Sequence, residues 1–451
     1  MNIRKIIFWS HLVVGVVTGL VVFVMAATGV LLTYEAQITR WAEHRSVTVA
    51  PGPRLDVEAL AAAALAETDG QATALVFEND PTAPVTASLG RRGKLLLDPT
   101  TGAALGDGET GVARVFHAAT GLHRALSLSG PGGPGRAVTG AANLGFLFLA
   151  LSGAYLWLPK IWRWARIKYL ILFRRSYPSA QARDFHWHHI FGFWALIPLV
   201  VVVFTGVTMS YDRVQGVVMT LAGVGAEAEG GRPGGAGGEP GDTLQLVDGG
   251  AGLNAVLAAA EAHDPAWRRV TLTLPLIPGV DTVTATVDTG PGRQPTRQQT
   301  LTIAQADAQV VAVQRFADQP KAARTFLFLR FGHTGEYFGA LGQTIAGLAS
   351  AATLVMVYTG FALAWRRLDL AAAPAASAGP GVSAGLRPRA RRAGDTPVAP
   401  LPRPGETCNT PTAFEHARAG LALPKPHEPG EELLPARKQA VHRPEPARIP
   451  L

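Results

Sequence analysis

The sequence holds a single cysteine, Cys408, in 451 residues, and only 16% of its residues are charged. One thiol excludes an internal disulfide, a cysteine zinc cluster and a cysteine-ligated iron–sulfur centre. Soluble domains carry about 25% charged residues, so the scarcity of charge beside 48% hydrophobic residues implies long apolar runs. No Gly-x-Gly-x-x-Gly follows a strand-like run, which leaves flavin or nicotinamide binding unsupported. No triad or paired carboxylates are arranged for covalent or acid–base catalysis. Twelve histidines remain as the means of holding a metal.

Four apolar stretches, at residues 6–34, 138–160, 187–211 and 338–365, each reach the roughly 20 residues that a helix needs to cross a bilayer. The first follows Arg4 and Lys5 as a signal peptide would. It is longer than an h-region of about 7–15 residues and closes on no clean cleavage site, so a retained helix is predicted. Basic residues mark the cytoplasmic side. They are Arg4 and Lys5, then Lys160, Arg163, Arg166, Lys168, Arg174, Arg175 and Arg183 in and around the loop 161–186, and Arg366 and Arg367 after the fourth stretch. Both termini are therefore expected in the cytoplasm, and segments 35–137 and 212–337 on the other side. The net charge of +8 is then topological and calls for no nucleic acid. Residues 366–451, rich in Pro, Ala and Arg, read as a disordered cytoplasmic tail.

The first and third stretches repeat one another. Phe8, His11, Gly15, Thr28, Gly29, Val30, Tyr34 and Glu35 match Phe185, His188, Gly192, Thr205, Gly206, Val207, Tyr211 and Asp212 without a gap. The second and fourth echo each other through Gly135, Ser152 and Gly153 against Gly342, Thr359 and Gly360. A hydroxyl residue followed by glycine thus closes all four, which reads as close helix packing in lipid. The exported segments repeat too. A helix over 55–67 precedes strands at 73–77, 85–89 and 94–97; a helix over 253–263 precedes strands at 270–274, 282–287 and 299–303. Residues 225–241 form a Gly-rich linker. The fold class is a mainly α membrane protein. It is a four-transmembrane-helix bundle built as a parallel duplication, with two small α+β exported domains.

Histidine at membrane depth is a functional candidate. His11 and His188 hold the same place in the repeat, near the cytoplasmic ends of the first and third spans, where two facing imidazoles would make a bis-histidine haem b site. His123 and His333 precede the second and fourth spans and form a second candidate pair, three residues out of step when counted from the hydroxyl-glycine pairs. His117 competes with His123, and His186 and His189 compete with His188. The gapless repeat favours His188, because Trp9 and Leu12 occupy the counterpart positions. His263, His416, His427 and His442 are expected to be solvated. Arg124 and Arg324 are candidate partners for haem propionates, or interfacial arginines.

Span, exported α+β domain and span, repeated twice, with His-x-x-x-Gly opening the odd spans and Thr-Gly closing them, resembles the PepSY-associated transmembrane family. His333-Thr334-Gly335-Glu336 looks like that family's His-Thr-Gly-Glu stretch. The resemblance covers residues 1–368 and implies two PepSY-like periplasmic domains and a multi-pass place in the bacterial inner membrane. It also implies a likeness to ferric-siderophore reductases with two b haems. Carried over, His11 and His188 would hold the cytoplasmic haem iron, and His123 and His333 the outer one. Extra histidines at 186 and 189, and a Pro/Gly insertion after His123, depart from the family's pattern.

The expected function is haem-dependent transmembrane electron transfer, an oxidoreductase of the ferric-chelate reductase type. An unnamed cytoplasmic or membrane donor would supply the electron and a periplasmic ferric chelate (siderophore) would receive it during iron acquisition. Two other readings stand beside it. One is a non-catalytic anchored protein that binds or regulates a periplasmic partner. The other is an iron or siderophore permease, against which four unbroken spans with few intramembrane charges argue.

Overall fold

The computed structural model describes residues 2–128, 133–159, 163–223, 244–274 and 279–372. The Gly-rich linker 225–241, the tail beyond residue 372 with Cys408, and His416, His427 and His442 lie outside the described residues. The first half runs α1 (Ile3–Leu32), α2 (Glu35–Ser46), α3 (Val57–Glu67), β1 (Ala74–Glu78), β2 (Val85–Ser88), β3 (Lys94–Leu97), β4 (Ala104–Gly106), α4 (Gly111–Ala125) and α5 (Pro134–Trp157). A short helix, α6 (Trp164–Ile171), connects it to the second half. The same order then returns as α7 (Ala180–Ser210), α8 (Asp212–Leu221), α9 (Gly252–His263), β5 (Arg269–Thr273), β6 (Thr282–Asp288), β7 (Gln298–Ala304), β8 (Val310–Arg315), α10 (Lys321–His333) and α11 (Gly339–Ala372).

Helices α1, α5, α7 and α11 are long and apolar enough to cross a membrane. They pack as a ring in which α1 and α7 each touch both α5 and α11, so equivalent spans stand diagonally opposite. Small residues bring the helices close. A Cβ on Gly19 would lie 2.7 Å from the Phe361 ring, and one on Gly145 2.9 Å from Thr18. Two spans run further than their apolar stretches. Helix α7 begins at Ala180, not near 187, because Ser179 accepts from the Ala182 N–H and buried Asp184 is held by Arg183 at 2.9 Å and Arg366 at 2.7 Å. Helix α11 continues past residue 365, which brings Arg366 to that carboxylate.

The two predicted α+β domains are not separate bodies. Their strands join in one antiparallel sheet of order β4-β3-β2-β1-β5-β6-β7-β8. The seam is β1 against β5, from Ala74 opposite Thr273 to Glu78 opposite Arg269. Leu75, Phe77, Val270 and Leu272 alternate inward along it and share one core with α3 and α9. Each unit alone would expose its first strand as a bare edge; pairing the two removes both edges. The helices above the seam also clasp each other. The Asn254 side chain accepts from the Val57 N–H at 2.9 Å, and Glu58 accepts from the backbone of Leu253 and the side chain of Asn254. Glu58 and Asn254 are each the residue after the inward-facing pair Val57 and Leu253. Each thus caps the other's helix at equivalent positions.

The outer strands β4 and β8 lie beyond the sequence reading. Helix α2 continues α1 out of the bundle and meets the sheet through Arg40, 3.5 Å from Glu78, which also takes Arg269 at 3.1 Å.

Candidate functional site

Each half adds a short helix with a histidine in its last turn: α4 carries His123 and α10 carries His333. The connection from α4 to α5 is three residues longer than that from α10 to α11. That length takes up the register difference seen in the sequence. Both connections pass tightly over a glycine. A Cβ on Gly135 would sit 1.9 Å from the Ala125 carbonyl oxygen, and one on Gly342 2.2 Å from that of Gly335.

Each of the four histidines rests on one of the four hydroxyl-glycine pairs. His11 Nδ1 lies 2.8 Å from Ser152 Oγ on α5, and His188 Nδ1 lies 3.0 Å from Thr359 Oγ1 on α11. At the sheet-proximal end, His123 Nδ1 lies 3.0 Å from Thr28 Oγ1 on α1, and His333 Nδ1 lies 3.3 Å from Thr205 Oγ1 on α7. The glycine beside each hydroxyl makes room for the ring. A Cβ there would meet imidazole Cε1 at 3.3 Å (Gly153), 3.5 Å (Gly360), 3.6 Å (Gly29) and 3.1 Å (Gly206). The pairs read above as packing residues are therefore seats for imidazole.

The hydrogen bonds determine which ring nitrogen is free. Each seat hydroxyl donates its own proton back along its helix: Thr28 to Val24 O, Thr205 to Val201 O, Ser152 to Phe148 O and Thr359 to Val355 O. It can then only accept from the imidazole. Carbonyl oxygens reinforce this at three sites: Met25 O at 2.9 Å for His123, Val202 O at 2.8 Å for His333 and Met356 O at 3.1 Å for His188. Nδ1 thus carries the proton, and Nε2 keeps its lone pair. A metal-ligating histidine is commonly oriented this way, with the second nitrogen donating to a carbonyl.

Across the sheet-proximal end the His123 and His333 rings stand 6.2 Å apart, centroid to centroid. Burial, then the charges of His333 and Arg124, pushes the His123 imidazole down to about 4, so it stays neutral at physiological pH. Burial likewise lowers His333. At the other end His11 and His188 lie on opposite helices within electrostatic reach of one another. Trp157 stacks on Phe193 at 4.8 Å, with its indole N–H buried and without a partner among the described residues.

The competing histidines are placed otherwise. His117 is exposed on α4. Both nitrogens of His186 are taken, by Tyr177 at 2.8 Å and by the Tyr169 carbonyl. His189 binds its own helix at Phe185 O, 2.9 Å away, and lies against the Phe185 ring. His263 meets Gln299 at 3.3 Å. Of the two arginines read as propionate partners, Arg124 adjoins the outer pair. Arg324 instead donates to Ala317 O at 3.0 Å. Arg330, absent from the sequence reading, lies within electrostatic reach of Arg124 and Arg293. It stands one helical turn before His333, a spacing that marks it in the sequence.

A haem needs two axial donors from the protein and brings its own equatorial nitrogens. Two neutral imidazoles with Nδ1 tied back match that donor set. His123 and His333, with their rings 6.2 Å apart, are the residues that would hold such a group at the sheet-proximal end. Among the described residues no group of three or more His, Cys, Asp or Glu gathers as a metal site, so a tetrahedral zinc centre is not offered by the residues present.

The site and the fold together define a class: a multi-span membrane protein of duplicated halves, with paired histidines at both ends of its bundle. The chain belongs to the family described as the PepSY-associated TM region, whose sequence model matches residues 8–367. No curated protein matches the chain.

Proposed function

We propose that the protein carries electrons across the bacterial inner membrane through two b haems and reduces a ferric chelate in the periplasm. One observation carries this reading. Each of the four paired histidines is seated on the hydroxyl of its own hydroxyl-glycine pair, with the same nitrogen left free. A structural histidine has no need of that arrangement four times over. The basic residues near one end of the bundle support a cytoplasmic side for both termini and a periplasmic side for the sheet. His11 and His188 then face the donor side, and His123 and His333 the acceptor side. The donor is a reduced cytoplasmic or membrane carrier.

Bound haem supplies a one-electron couple. The chain's own residues keep Nδ1 protonated and leave Nε2 of His11, His188, His123 and His333 free to hold the group, and Arg124 and Arg330 lie toward the outer pair, where propionates would be neutralised. Each electron delivered converts one Fe(III) to Fe(II), with no proton taken up by the protein. Oxygen-rich chelators hold Fe(II) far more weakly, so reduction releases the metal.

The test is a dithionite-reduced minus oxidised spectrum with a haem count. The expected result is two b haems per chain, one lost in His11→Ala and in His188→Ala, the other in His123→Ala and in His333→Ala. A folded preparation with no haem bands refutes the reading. It would favour the alternative of a membrane-anchored docking protein, which draws on the exposed β8 edge of the sheet.

A further inference from the structure

Helix α10, which ends at His333, begins in a recess that the electron path does not use. An open cavity of about 370 Å³ lies between the first turns of α10, the 3-10 turn Phe316–Asp318 and Tyr337. Lys321 and Arg324 line it together with Phe316, Phe328 and Tyr337. Neither cation meets a carboxylate among the described residues; Arg324 spends one N–H on Ala317 O. Helix α10 has Pro320 at its N-cap and no capping side chain, so its first N–H groups and its dipole add to the positive potential. The three rings meet edge to face around Tyr337, at 5.8 Å from Phe316 and 5.2 Å from Phe328, which leaves ring faces free to stack.

We infer that this recess binds the ring-bearing arm of an anionic, phenolate-type (catecholate) ferric chelate, and so selects the acceptor. The inference rests on the redox reading above and names its substrate class. Two cations with no carboxylate partner among the described residues, set beside aromatic faces, recognise a charged ring through charge-assisted hydrogen bonds and stacking. A neutral hydroxamate chelate offers neither the charge nor the ring. The volume lies at the lower end of the roughly 300–1,000 Å³ usual for ligand pockets and admits one arm. Phe328 stands five residues before His333, about 7–8 Å along the helix, and Tyr337 four residues after it. An arm seated there would lie on the same helix as His333, with Phe328 the lining residue of α10 nearest to it in sequence.

The experiment measures binding of a redox-silent Ga(III) tris-catecholate to the full chain in zwitterionic nanodiscs, by calorimetry. Saturable binding is expected, weakened at least tenfold in Lys321→Glu/Arg324→Glu and in the milder Lys321→Met/Arg324→Gln, and several-fold in Phe328→Ala. A neutral Ga(III) trihydroxamate should not saturate. Haem content and thermal melting of each variant report its fold. Equal binding by wild type and both charge variants, or absence of binding in a haem-loaded preparation, overturns the inference and leaves the redox reading standing. Displacement of the gallium complex by anionic lipid added to the nanodiscs also overturns it, making the recess a headgroup site. Binding without haem in the preparation would refute the redox reading and overturn the acceptor role, leaving the recess a site for the chelate only.

Discussion

At the scale of single residues, the seats are where sequence and structure differ most in meaning. Thr28-Gly29, Ser152-Gly153, Thr205-Gly206 and Thr359-Gly360 were visible as a repeat, and small residues are common between membrane helices for reasons of packing alone. Nothing in the spacing along one helix shows that a ring from another helix will rest there, because that contact joins residues 95 to 171 positions apart. The four seats differ in tightness. A Cβ at Gly206 would press on Asn143 at 2.7 Å and on His333 at 3.1 Å. Overpacking of this kind costs about 1–3 kcal/mol, against a helix gain over glycine of up to about 1 kcal/mol. Gly206→Ala should therefore lower the melting temperature in detergent. Gly29→Ala, with its nearest contact at 3.4 Å, should leave it unchanged or raise it. A second contrast concerns the hydroxyls. Thr28→Val leaves His123 its Met25 carbonyl, while Ser152→Ala takes from His11 the one Nδ1 partner described. Removing such outer partners costs about 10–100-fold in affinity. Haem loss to a scavenging apo-globin should be faster in Ser152→Ala than in Thr28→Val, and equal rates would count against the seats as positioning groups.

At the scale of elements, strands with clear alternation were legible and those at the rim were not. Lys94–Leu97 was read to the residue, since it is half buried with turn residues on both sides. Strand β8 escaped because it is exposed along nearly its whole length, and its apolar residues Val310, Val311, Ala312 and Val313 follow one another without the alternation that marks a buried face. The turn after β3 depends on Asp98. Burial alone would push its carboxyl up. Hydrogen bonds from Ala50, Thr100 and Thr101 outweigh burial and hold it below the usual carboxylate range. Its folded-state pKa thus lies under that of the unfolded chain. The stability it contributes is complete above about pH 3.9 and is lost as pH falls through the folded value. Melting temperature measured from pH 6 down to 2.5 should drop in that acid window. Asp98→Asn should remove part of the drop and cost about 1–3 kcal/mol at neutral pH, because the amide sets a donor against a donor. The paired caps make a different prediction. Asn254→Ala withdraws the acceptor from Val57 on the far helix and should destabilise by about 0.5–2 kcal/mol, with faster amide exchange at the start of α3, in the other half of the sequence.

At the scale of the whole molecule, the four spans and the duplication were plain in the sequence, while the fusion of the exported units was not. Strand pairing between β1 and β5 joins segments almost 200 residues apart, and period-2 alternation is the same for a strand at an edge as for one at a seam. Because buried residues from both units form one core, the extramembrane layer should melt in a single cooperative transition. Two separate calorimetric peaks from it would show that the seam is weak. Proline in place of Thr271, at the middle of the seam, removes a ladder donor from an interior strand and should lower stability of both halves together.

Every seat lies in the same half of the chain as its histidine: His11 on Ser152 and His123 on Thr28, then His188 on Thr359 and His333 on Thr205. Each opposed pair, however, draws one imidazole from each half. A half-length chain would own two finished half-sockets and no socket. The halves resemble the subunits of an ancestral dimer now written as one gene, and the haems proposed above would be its rivets. Occupancy and the grip of one half on the other are then the same equilibrium. Stripping the rivets should loosen the joint between halves before it loosens either half.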